Sequence, residues 1–335
     1  MDQAAIRVEG LVKRFGDVVA LDGVDFDVPT GSVFGLLGPN GAGKTTAVRI
    51  LSTILVPDGG RAEVLGHDVV HDPDGVRCRI GLAGQYAAVD PNLTGRENLR
   101  LTGRLAQLSG VEAGTRAAEL LRRFDLIDAA DRPVRTYSGG MRRRLDVAAA
   151  LVHRPPVVFL DEPTTGLDLP SRNELWRMIR ELVQSGSTVL LTTQYLEEAD
   201  RLADRVAVVD GGHVIANDTP ATLKSRLGST VIEMGLGDEG RASRAQELLS
   251  RSLSVRPERD GSAVRLTSED GARILIDALR ILDAESLTPA SLSVRQPSLD
   301  DVFLALTGHR AEGTDAAPAP EGAAGRRGTR SRGAS

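Results

Sequence analysis

The first two thirds of the chain alternate between strand-like apolar runs and segments with helical spacing. Residues 6–28 differ, because apolar and polar side chains alternate there as they do in strands of an antiparallel sheet. Largely apolar runs, typical of strands buried on both faces, follow at 33–37, 157–160, 188–193 and 205–209. This order of strands and helices predicts an α/β domain over residues 1–227.

Helical spacing predominates over residues 94–150. Leucines at 99, 101, 105 and 108 recur at helical intervals, and Thr94 is placed to cap the first helix. Gly110 and Gly114 are expected to break the pattern before a second helix. Further on, Ser171 followed by Glu174 predicts a capping box for a helix that runs to about residue 184.

After Gly228 the pattern changes to a β-α-β-β-α-β order, which suggests a small ferredoxin-like α+β domain over residues 228–309. Its two middle strands are expected near 254–256 and 263–266. Residues 310–335 consist mainly of Ala, Gly, Pro, Arg and Ser. Because they offer so few apolar side chains to bury, they are predicted to form a disordered tail.

A glycine-rich turn joins the apolar run at 33–37 to a helical segment. Its residues are Gly38, Pro39, Asn40, Gly41, Ala42, Gly43, Lys44, Thr45 and Thr46. In this context the pattern G-x-x-x-x-G-K-[ST] predicts a phosphate-binding loop, because backbone N–H groups converge there at the positive end of a helix dipole. Lys44 is expected to neutralise the β- and γ-phosphates, and the Thr45 hydroxyl to bind Mg²⁺. The sequence therefore predicts a nucleoside triphosphate site.

Two adjacent carboxylates, Asp161 and Glu162, end the apolar run at 157–160. Successive side chains on a strand face opposite ways, so the two are expected to have different roles. Asp161 is predicted to hold Mg²⁺ through water, and Glu162 to orient or activate the attacking water. Because neighbouring carboxylates repel each other without a cation, the pair requires Mg²⁺.

The segment 137–145 reads Tyr-Ser-Gly-Gly-Met-Arg-Arg-Arg-Leu. Ser138 predicts a helix N-cap, and Gly139 and Gly140 leave backbone N–H groups accessible at a helix end that attracts anions. The run from Arg142 to Arg144 is assigned to a solvated or interdomain face rather than to nucleic acid, because it lies beside a phosphate site.

Together, the phosphate loop, the segment 137–145 and the Asp161-Glu162 pair closely resemble the ATP-binding cassette (ABC) transporter ATPases, over roughly residues 6–225. The resemblance implies a P-loop NTPase fold with an antiparallel β-subdomain and a helical subdomain at about 94–150, and ATP and Mg²⁺ as cofactors. Two departures stand out. Tyr137 and Met141 replace the Leu and Gln of the family's Leu-Ser-Gly-Gly-Gln signature, and Gln194 replaces its switch histidine.

The resemblance also assigns roles to single residues. Phe15 stacks on the adenine, and Gln85 joins the Mg²⁺ shell and begins the loop that meets the membrane subunit. Residues 86–97 form the groove for a coupling helix of that subunit.

Further roles in the family involve a second chain. Ser138, Gly139 and Gly140 contact the γ-phosphate held by the other subunit, so that two chains close head-to-tail around two ATP molecules. Asp168 serves cross-talk between the subunits. Gln194, assigned with Glu162 to catalysis, keeps a donor and an acceptor near the γ-phosphate but cannot take up a proton.

The segment 297–308, with 138–146 and 192–200, further resembles the daunorubicin/doxorubicin-resistance type of bacterial drug-exporter ATPase. This implies that ATP hydrolysis drives efflux of a hydrophobic drug or antibiotic through a separate multi-span permease. Export of lipid or polysaccharide is an alternative, and an importer subunit would share every ATPase motif. A soluble ABC ATPase of translation or DNA repair is disfavoured, because one phosphate loop is present, without long coiled coils or a Cys-x-x-Cys hook.

Composition indicates which partners and which cellular compartment to expect. With a net charge of −5 over 335 residues, the chain has no overall field that favours nucleic acid. The single cysteine, Cys78, excludes a disulfide framework and fits a reducing compartment. The N-terminus lacks the order of a signal peptide, and the longest apolar runs are too short to span a bilayer. We therefore expect a peripheral protein on the cytoplasmic face of the bacterial cell membrane.

Overall fold

A computed structural model describes residues 4–84, 89–227 and 230–307 of the chain. The strands there are β1 (Ala4–Phe15), β2 (Val18–Pro29), β3 (Val33–Leu37), β4 (Gly59–Val64), β5 (His67–Asp68), β6 (Ile80–Ala83), β7 (Val157–Asp161), β8 (Thr188–Thr193), β9 (Arg205–Asp210), β10 (His213–Asp218), β11 (Thr230–Gly235), β12 (Glu258–Asp260), β13 (Ala263–Ser268) and β14 (Ser291–Arg295). The α-helices are α1 (Lys44–Leu51), α2 (Pro73–Arg77), α3 (Gly95–Leu105), α4 (Gly110–Arg123), α5 (Gly139–Ala150), α6 (Leu169–Gln184), α7 (Leu196–Leu202), α8 (Pro220–Ser225), α9 (Glu239–Ser252), α10 (Gly271–Ala284) and α11 (Leu299–Thr307).

The first sheet is antiparallel and has the strand order β2-β1-β4-β5. Along β1 and β2 the buried Ile6 lies opposite the buried Val28, and the exposed Arg7 lies opposite the exposed Asp27. One face of this sheet therefore packs against the core while the other faces water, which is the arrangement that the alternation over residues 6–28 predicts.

The second sheet carries the phosphate loop and has the strand order β10-β9-β3-β8-β7-β6. All its strands are parallel except β10. Every residue of β3, β7 and β8 is buried, because both faces of the sheet are covered by hydrophobic cores. Leu37 lies opposite Thr193, and Asp161 lies opposite Thr192. The carboxyl ends of β3, β8 and β7 therefore meet at one edge, where α/β sheets bind ligands.

The helices between β6 and β7 follow the predicted pattern, with one correction. Thr94 caps α3 in a full capping box with Glu97, as predicted. The expectation that Gly110 and Gly114 interrupt the helix is wrong, because both lie inside α4. A second capping box, formed by Ser109 and Glu112, starts that helix and outweighs the weak helix propensity of the two glycines.

The predicted capping box at Ser171 is also wrong. The helix α6 begins earlier, at Leu169, with a proline in its first turn, and Ser171 lies inside it. Glu174 forms an ion pair with Arg144 at 2.8 Å instead of turning back to the helix start.

The third sheet is antiparallel, with the strand order β12-β13-β11-β14, and α9 and α10 contribute to its core. Its elements occur in the predicted β-α-β-β-α-β order. The strand expected at 254–256 lies at Glu258–Asp260 instead. There Asp260 pairs with Ala263 across a turn whose Gly261 has a φ of 55°, so turn geometry fixes the strand position. The predicted tail at 310–335 lies outside the described residues.

The helix α11 closes a fourth core against the phosphate-loop part of the chain. Its Leu299, Val302 and Phe303 pack with Leu37, Leu196, Val208 and Leu223, which come from β3, α7, β9 and α8. The buried Asp301 of α11 also forms ion pairs with Arg265 and Arg295 of the third sheet. This helix therefore contacts both the third sheet and the part of the chain that carries the phosphate loop.

Candidate active site

The phosphate loop is shaped by glycines at positions where a side chain would collide with the backbone. Gly43 has a φ of 105°, and a Cβ there would lie 2.3 Å from the carbonyl oxygen of Ala20. A Cβ on Gly38 would lie 2.1 Å from the carbonyl oxygen of Val209. The loop therefore packs tightly against β2 and β9 as it enters the N-terminus of α1.

Lys44 is buried, with 4% of its surface exposed. Its ammonium donates hydrogen bonds to the carbonyl oxygens of Gly38, at 2.7 Å, and Pro39, at 2.9 Å. Main-chain acceptors of the loop thus hold the Lys44 charge beside the N-terminus of α1, the end of a helix that attracts anions.

The Asp161 carboxylate lies beside Thr45 at the end of β7. Its Oδ1 accepts hydrogen bonds from Thr45 Oγ1 at 3.1 Å and from Thr192 Oγ1 at 2.5 Å. A hydroxyl and a carboxylate oxygen converging on one point suit Mg²⁺, which prefers oxygen ligands and keeps water and phosphate oxygens in its shell. Thr45 and Asp161 therefore fit the ion predicted for this site.

Glu162 follows in a left-handed backbone conformation, with a φ of 48°. Its N–H donates to the carbonyl oxygen and to the hydroxyl of Thr192, at 3.1 and 3.0 Å. The hydroxyl of Thr165 donates to its Oε2 at 3.2 Å. Non-glycine residues held at positive φ are uncommon, and such conformations are concentrated at active sites.

Glu162 and the phosphate loop line one cavity of about 160 Å³. Its other residues are Ala20, Asn40, Gly41, Ala42, Gly43, Lys44, Thr45 and Thr46. The structure thus brings the predicted phosphate-binding residues and the predicted base to one site. Phe15 is outside this cavity but 47% exposed, so it is not a core residue. It pairs with Val18, two residues before Ala20 of the cavity wall.

Two further residues, Gln194 and Gln85, were predicted to belong to this site. Gln194 directly follows β8 and is half-buried. Since Thr193 lies opposite Leu37, Gln194 begins at the level of the phosphate loop. Gln85 lies outside the described residues, as do the first residues of the groove predicted at 86–97.

Comparison with known proteins decides the family. A model of the ABC transporter family matches residues 21–165. A daunorubicin resistance ATP-binding protein of Streptomyces coeruleorubidus is 54% identical over 318 residues, which cover 94% of this chain and 99% of the relative. The chain belongs to the ABC transporter ATPases. A daunorubicin/doxorubicin resistance ATP-binding protein of Streptomyces peucetius is likewise 54% identical, over 92% of this chain and 94% of the relative.

Solved structures agree with this assignment. A dimeric ATP-binding cassette in a post-hydrolysis state with ADP and Pi is similar to this ABC ATPase with a TM-score of 0.59 and 26% identity, over 64% of this chain and 98% of that one. The resemblance predicted from the motifs is confirmed, including the daunorubicin-resistance type. The P-loop NTPase fold is also confirmed.

The ABC signature begins at a capped helix. Ser138 Oγ accepts the N–H of Met141 at 3.2 Å, which confirms the predicted N-cap of α5. A Cβ on Gly140 would lie 2.6 Å from Ser171 Oγ of α6, so this glycine lets the starts of α5 and α6 approach. Asp168 immediately precedes α6 and is exposed, without a capping bond from its side chain. None of these residues lines the cavity of the chain's own phosphate loop.

The two unusual signature residues are both used in packing. Tyr137 is buried in the core of the helical region, and its hydroxyl donates to the carbonyl oxygen of Ala129 at 2.6 Å. Burial raises the pKa of this phenol above its ordinary value. Met141 packs against the same core. Tyr137 and Met141 therefore both make apolar contacts with this core, and the Tyr137 hydroxyl has a hydrogen-bond partner.

The arginine run differs from its prediction. Arg142 is exposed, as expected, but Arg143 and Arg144 are largely buried and bind within the chain. Arg144 bridges α5 to Glu174 of α6. Arg143 donates to the Asp161 carbonyl, and burial lowers the pKa of its guanidinium despite the nearby Asp146 carboxylate. Helical spacing in the structure accounts for part of the difference, because it places Arg143 on the same helix face as the buried Asp146, three residues later.

A buried carboxylate that the motifs did not indicate lies behind the site. Glu198 of α7 has no exposed surface, and its Oε1 accepts the indole N–H of Trp176 at 3.0 Å. Burial raises the pKa of Glu198 above its ordinary value, although the hydrogen bond from Trp176 opposes the shift. The carboxylate thus ties α7 to α6.

The raised pKa of Glu198 makes stability depend on pH. Above about 4.5, the ordinary value, the unfolded chain has released a proton that the folded chain still holds. The free energy of unfolding should therefore fall as pH rises through the folded-state pKa. A Glu198→Gln variant cannot titrate, so its melting temperature relative to that of the parental chain should rise as the pH increases above about 4.5. If the melting temperatures of Glu198→Gln and of the parental chain change equally with pH, this prediction is wrong. The control is Glu197→Gln, a change at an exposed position, whose melting temperature should follow that of the parental chain.

Proposed function

We propose that this ABC ATPase binds ATP with Mg²⁺, hydrolyses it, and powers efflux of a hydrophobic drug or antibiotic through a separate membrane permease. The observation that carries the proposal is the 54% identity to drug-resistance ATP-binding proteins over more than nine tenths of the chain. That identity extends beyond the ATPase motifs, which exporters and importers share, into the C-terminal residues.

Each residue of the site has a role in this proposal. Lys44 neutralises the β- and γ-phosphates, and Phe15 stacks on the adenine. Thr45, Asp161 and Gln85 would hold Mg²⁺, which when bound would supply neutralisation of the charge on the phosphates. Glu162 orients the attacking water and accepts its proton. Since the N–H of Glu162 is anchored on Thr192, this carboxylate is positioned before substrate arrives.

The proposal requires two chains. Ser138, Gly139 and Gly140 start α5 outside the chain's own cavity, with accessible N–H groups suited to the γ-phosphate held by a partner. Asp168 starts the adjoining helix and supplies the cross-talk between subunits. A head-to-tail homodimer with two ATP molecules would give these residues their ligands, and the similar cassette solved as a dimer supports this assembly.

We place the protein on the cytoplasmic face of the bacterial cell membrane, attached through its permease. Across residues 4–84, 89–227 and 230–307, no helix has both the length and the hydrophobicity needed to cross a bilayer. The match to the ABC transporter family supports the membrane setting.

Gln194 is proposed to sense the γ-phosphate in place of a histidine. Replacing it with Ala should slow ATP hydrolysis about tenfold or more, the effect of a lost hydrogen bond of about 1.5–3 kcal/mol to a charged group. Gln194→His should keep activity and add an inflection in rate near pH 6.5, which the glutamine enzyme lacks. Parental turnover in Gln194→Ala would remove this residue from the mechanism.

Transport tests the function directly. The chain, co-expressed with a candidate multi-span permease, should drive ATP-dependent uptake of daunorubicin into inverted membrane vesicles. Vesicles with the Lys44→Ala variant serve as the matched control and should take up none. ATP hydrolysis without drug uptake, together with movement of a lipid-linked saccharide, would favour the alternative cargo.

A further inference from the structure

One buried guanidinium joins four acceptors around the active site. Arg143 of α5 donates to the carbonyl oxygens of Gly84 at 2.6 Å, Asp161 at 2.9 Å and Pro163 at 2.9 Å. It also binds the Asp146 carboxylate at 3.2 Å. Only 12% of the Arg143 side chain is exposed, so these bonds are shielded from water.

The three carbonyls belong to segments that carry active-site residues. Gly84 follows β6 and directly precedes Gln85. Asp161 ends β7, next to Glu162, and Pro163 opens the segment that leads to Asp168. A single side chain therefore contacts the main chain of all three segments, from a helix that Ser138 caps.

The geometry suits a rigid connection. The planar guanidinium presents its donors on three nitrogens in a fixed fork, whereas an ammonium of the same charge carries its three donors on one nitrogen. Asp146, with 2% of its surface exposed, balances the buried charge. The neighbouring arginines do not share this role, because Arg142 is exposed and Arg144 binds Glu174.

We propose that Arg143 is a positioning residue that couples the chain's own ATP site to its signature helix. This inference rests on the proposed head-to-tail dimer, in which Ser138 serves the ATP held by the partner. Any shift in the ends of β6 and β7 when ATP binds is then passed through Arg143 to α5. The two ATP sites of the dimer communicate by this route, and hydrolysis depends cooperatively on ATP concentration.

The test compares two lysine variants on the same helix. Arg143→Lys keeps the charge beside Asp146 but loses the fork, and Arg142→Lys makes the same chemical change on the exposed face. ATPase rates of the purified full chain are measured against ATP concentration, and ATP affinity is measured with a fluorescent analogue. We expect a Hill coefficient approaching 2 for the parental chain and for Arg142→Lys, and about 1 for Arg143→Lys. The maximal rate of Arg143→Lys should fall roughly 2- to 30-fold, with unchanged analogue affinity.

A double variant, Arg143→Gln with Asp146→Asn, guards against a folding defect because it leaves no buried charge unpaired. It should show the same loss of cooperativity. The inference is overturned if Arg143→Lys has the same Hill coefficient as the parental chain. It is also overturned if the parental chain itself has a Hill coefficient of 1. If both Arg143 variants bind the analogue more weakly and melt at a lower temperature, to the same extent, then Arg143 has only a structural role. A parental chain without any ATPase activity would instead refute the proposed function.

Discussion

Replacing Lys44 with Ala is expected to weaken ATP binding roughly 10- to 150-fold, the effect of losing a hydrogen bond of about 1.5–3 kcal/mol to a charged group. The ammonium already sits between the carbonyl oxygens of Gly38 and Pro39, so the parental loop pays little reorganisation when phosphate arrives. Equilibrium binding of a fluorescent ATP analogue measures the change. Lys224→Ala, which removes a lysine paired with Asp200 on the surface, is the control and should bind normally.

A second variant separates the charge of Lys44 from its effect on loop shape. Lys44→Gln keeps a donor for the two loop carbonyls but carries no charge. If it binds ATP as tightly as the parental chain, the neutralising role assigned to Lys44 is wrong. Weak binding in both variants, with melting temperatures close to the parental value, assigns the loss to the missing charge.

Replacing Glu162 with Gln is expected to abolish most turnover while leaving ATP binding intact. Loss of a general base typically lowers the rate by about 10²–10⁴-fold. The geometry should survive, because the backbone of Glu162 is held by its N–H bonds to Thr192 rather than by its carboxylate. Single-turnover and steady-state ATPase assays measure the loss. Glu197→Gln, a change in an exposed ion pair with Arg201, is the control.

The same variant should also trap the dimer. Because bound ATP is no longer consumed, sedimentation of Glu162→Gln should show a monomer without ATP and a head-to-tail dimer with it. Hydrolysis at the parental rate would refute the role of Glu162. A sedimentation coefficient that ATP does not change would count against the composite site.

The phosphate loop and the carboxylate pair were predictable because their chemistry is local. Lys44 and Thr45 belong to one turn, and Asp161 and Glu162 end one apolar strand. What brings these two segments together is the parallel sheet, in which carboxyl ends of neighbouring strands share an edge. The pattern of apolar runs predicted an α/β domain, and the observed strand order β3-β8-β7 places the Thr45 hydroxyl 3.1 Å from Asp161.

Arg143 and Glu198 were not predictable in the same way. In the sequence Arg143 is one of three identical neighbours, and its acceptors are main-chain oxygens that any residue type would supply. Glu198 stands beside Glu197 and looks equally polar. Only the packing of α7 against Trp176 removes it from water. Buried polar groups of this kind are set by tertiary contacts that a linear pattern does not record.

Helix starts show how competing local signals are resolved. Ser109 and Ser171 each precede a glutamate by three residues, yet only the first forms a capping box. Near Ser171, Pro170 favours an earlier start, and Glu174 has a stronger partner in Arg144. The sequence contains both signals, and the choice between them depends on a residue from another helix.

The docking of α11 also has a consequence for the timing of synthesis. The apolar side chains that it covers, ending with Leu223, leave the ribosome roughly 75 residues before Leu299. At about 5–20 residues per second, they stay uncovered for roughly 4–15 s. An apolar surface left open for so long invites chaperone binding or self-association. The nascent phosphate-loop part of the chain is therefore expected to need protection until its last described helix has been translated.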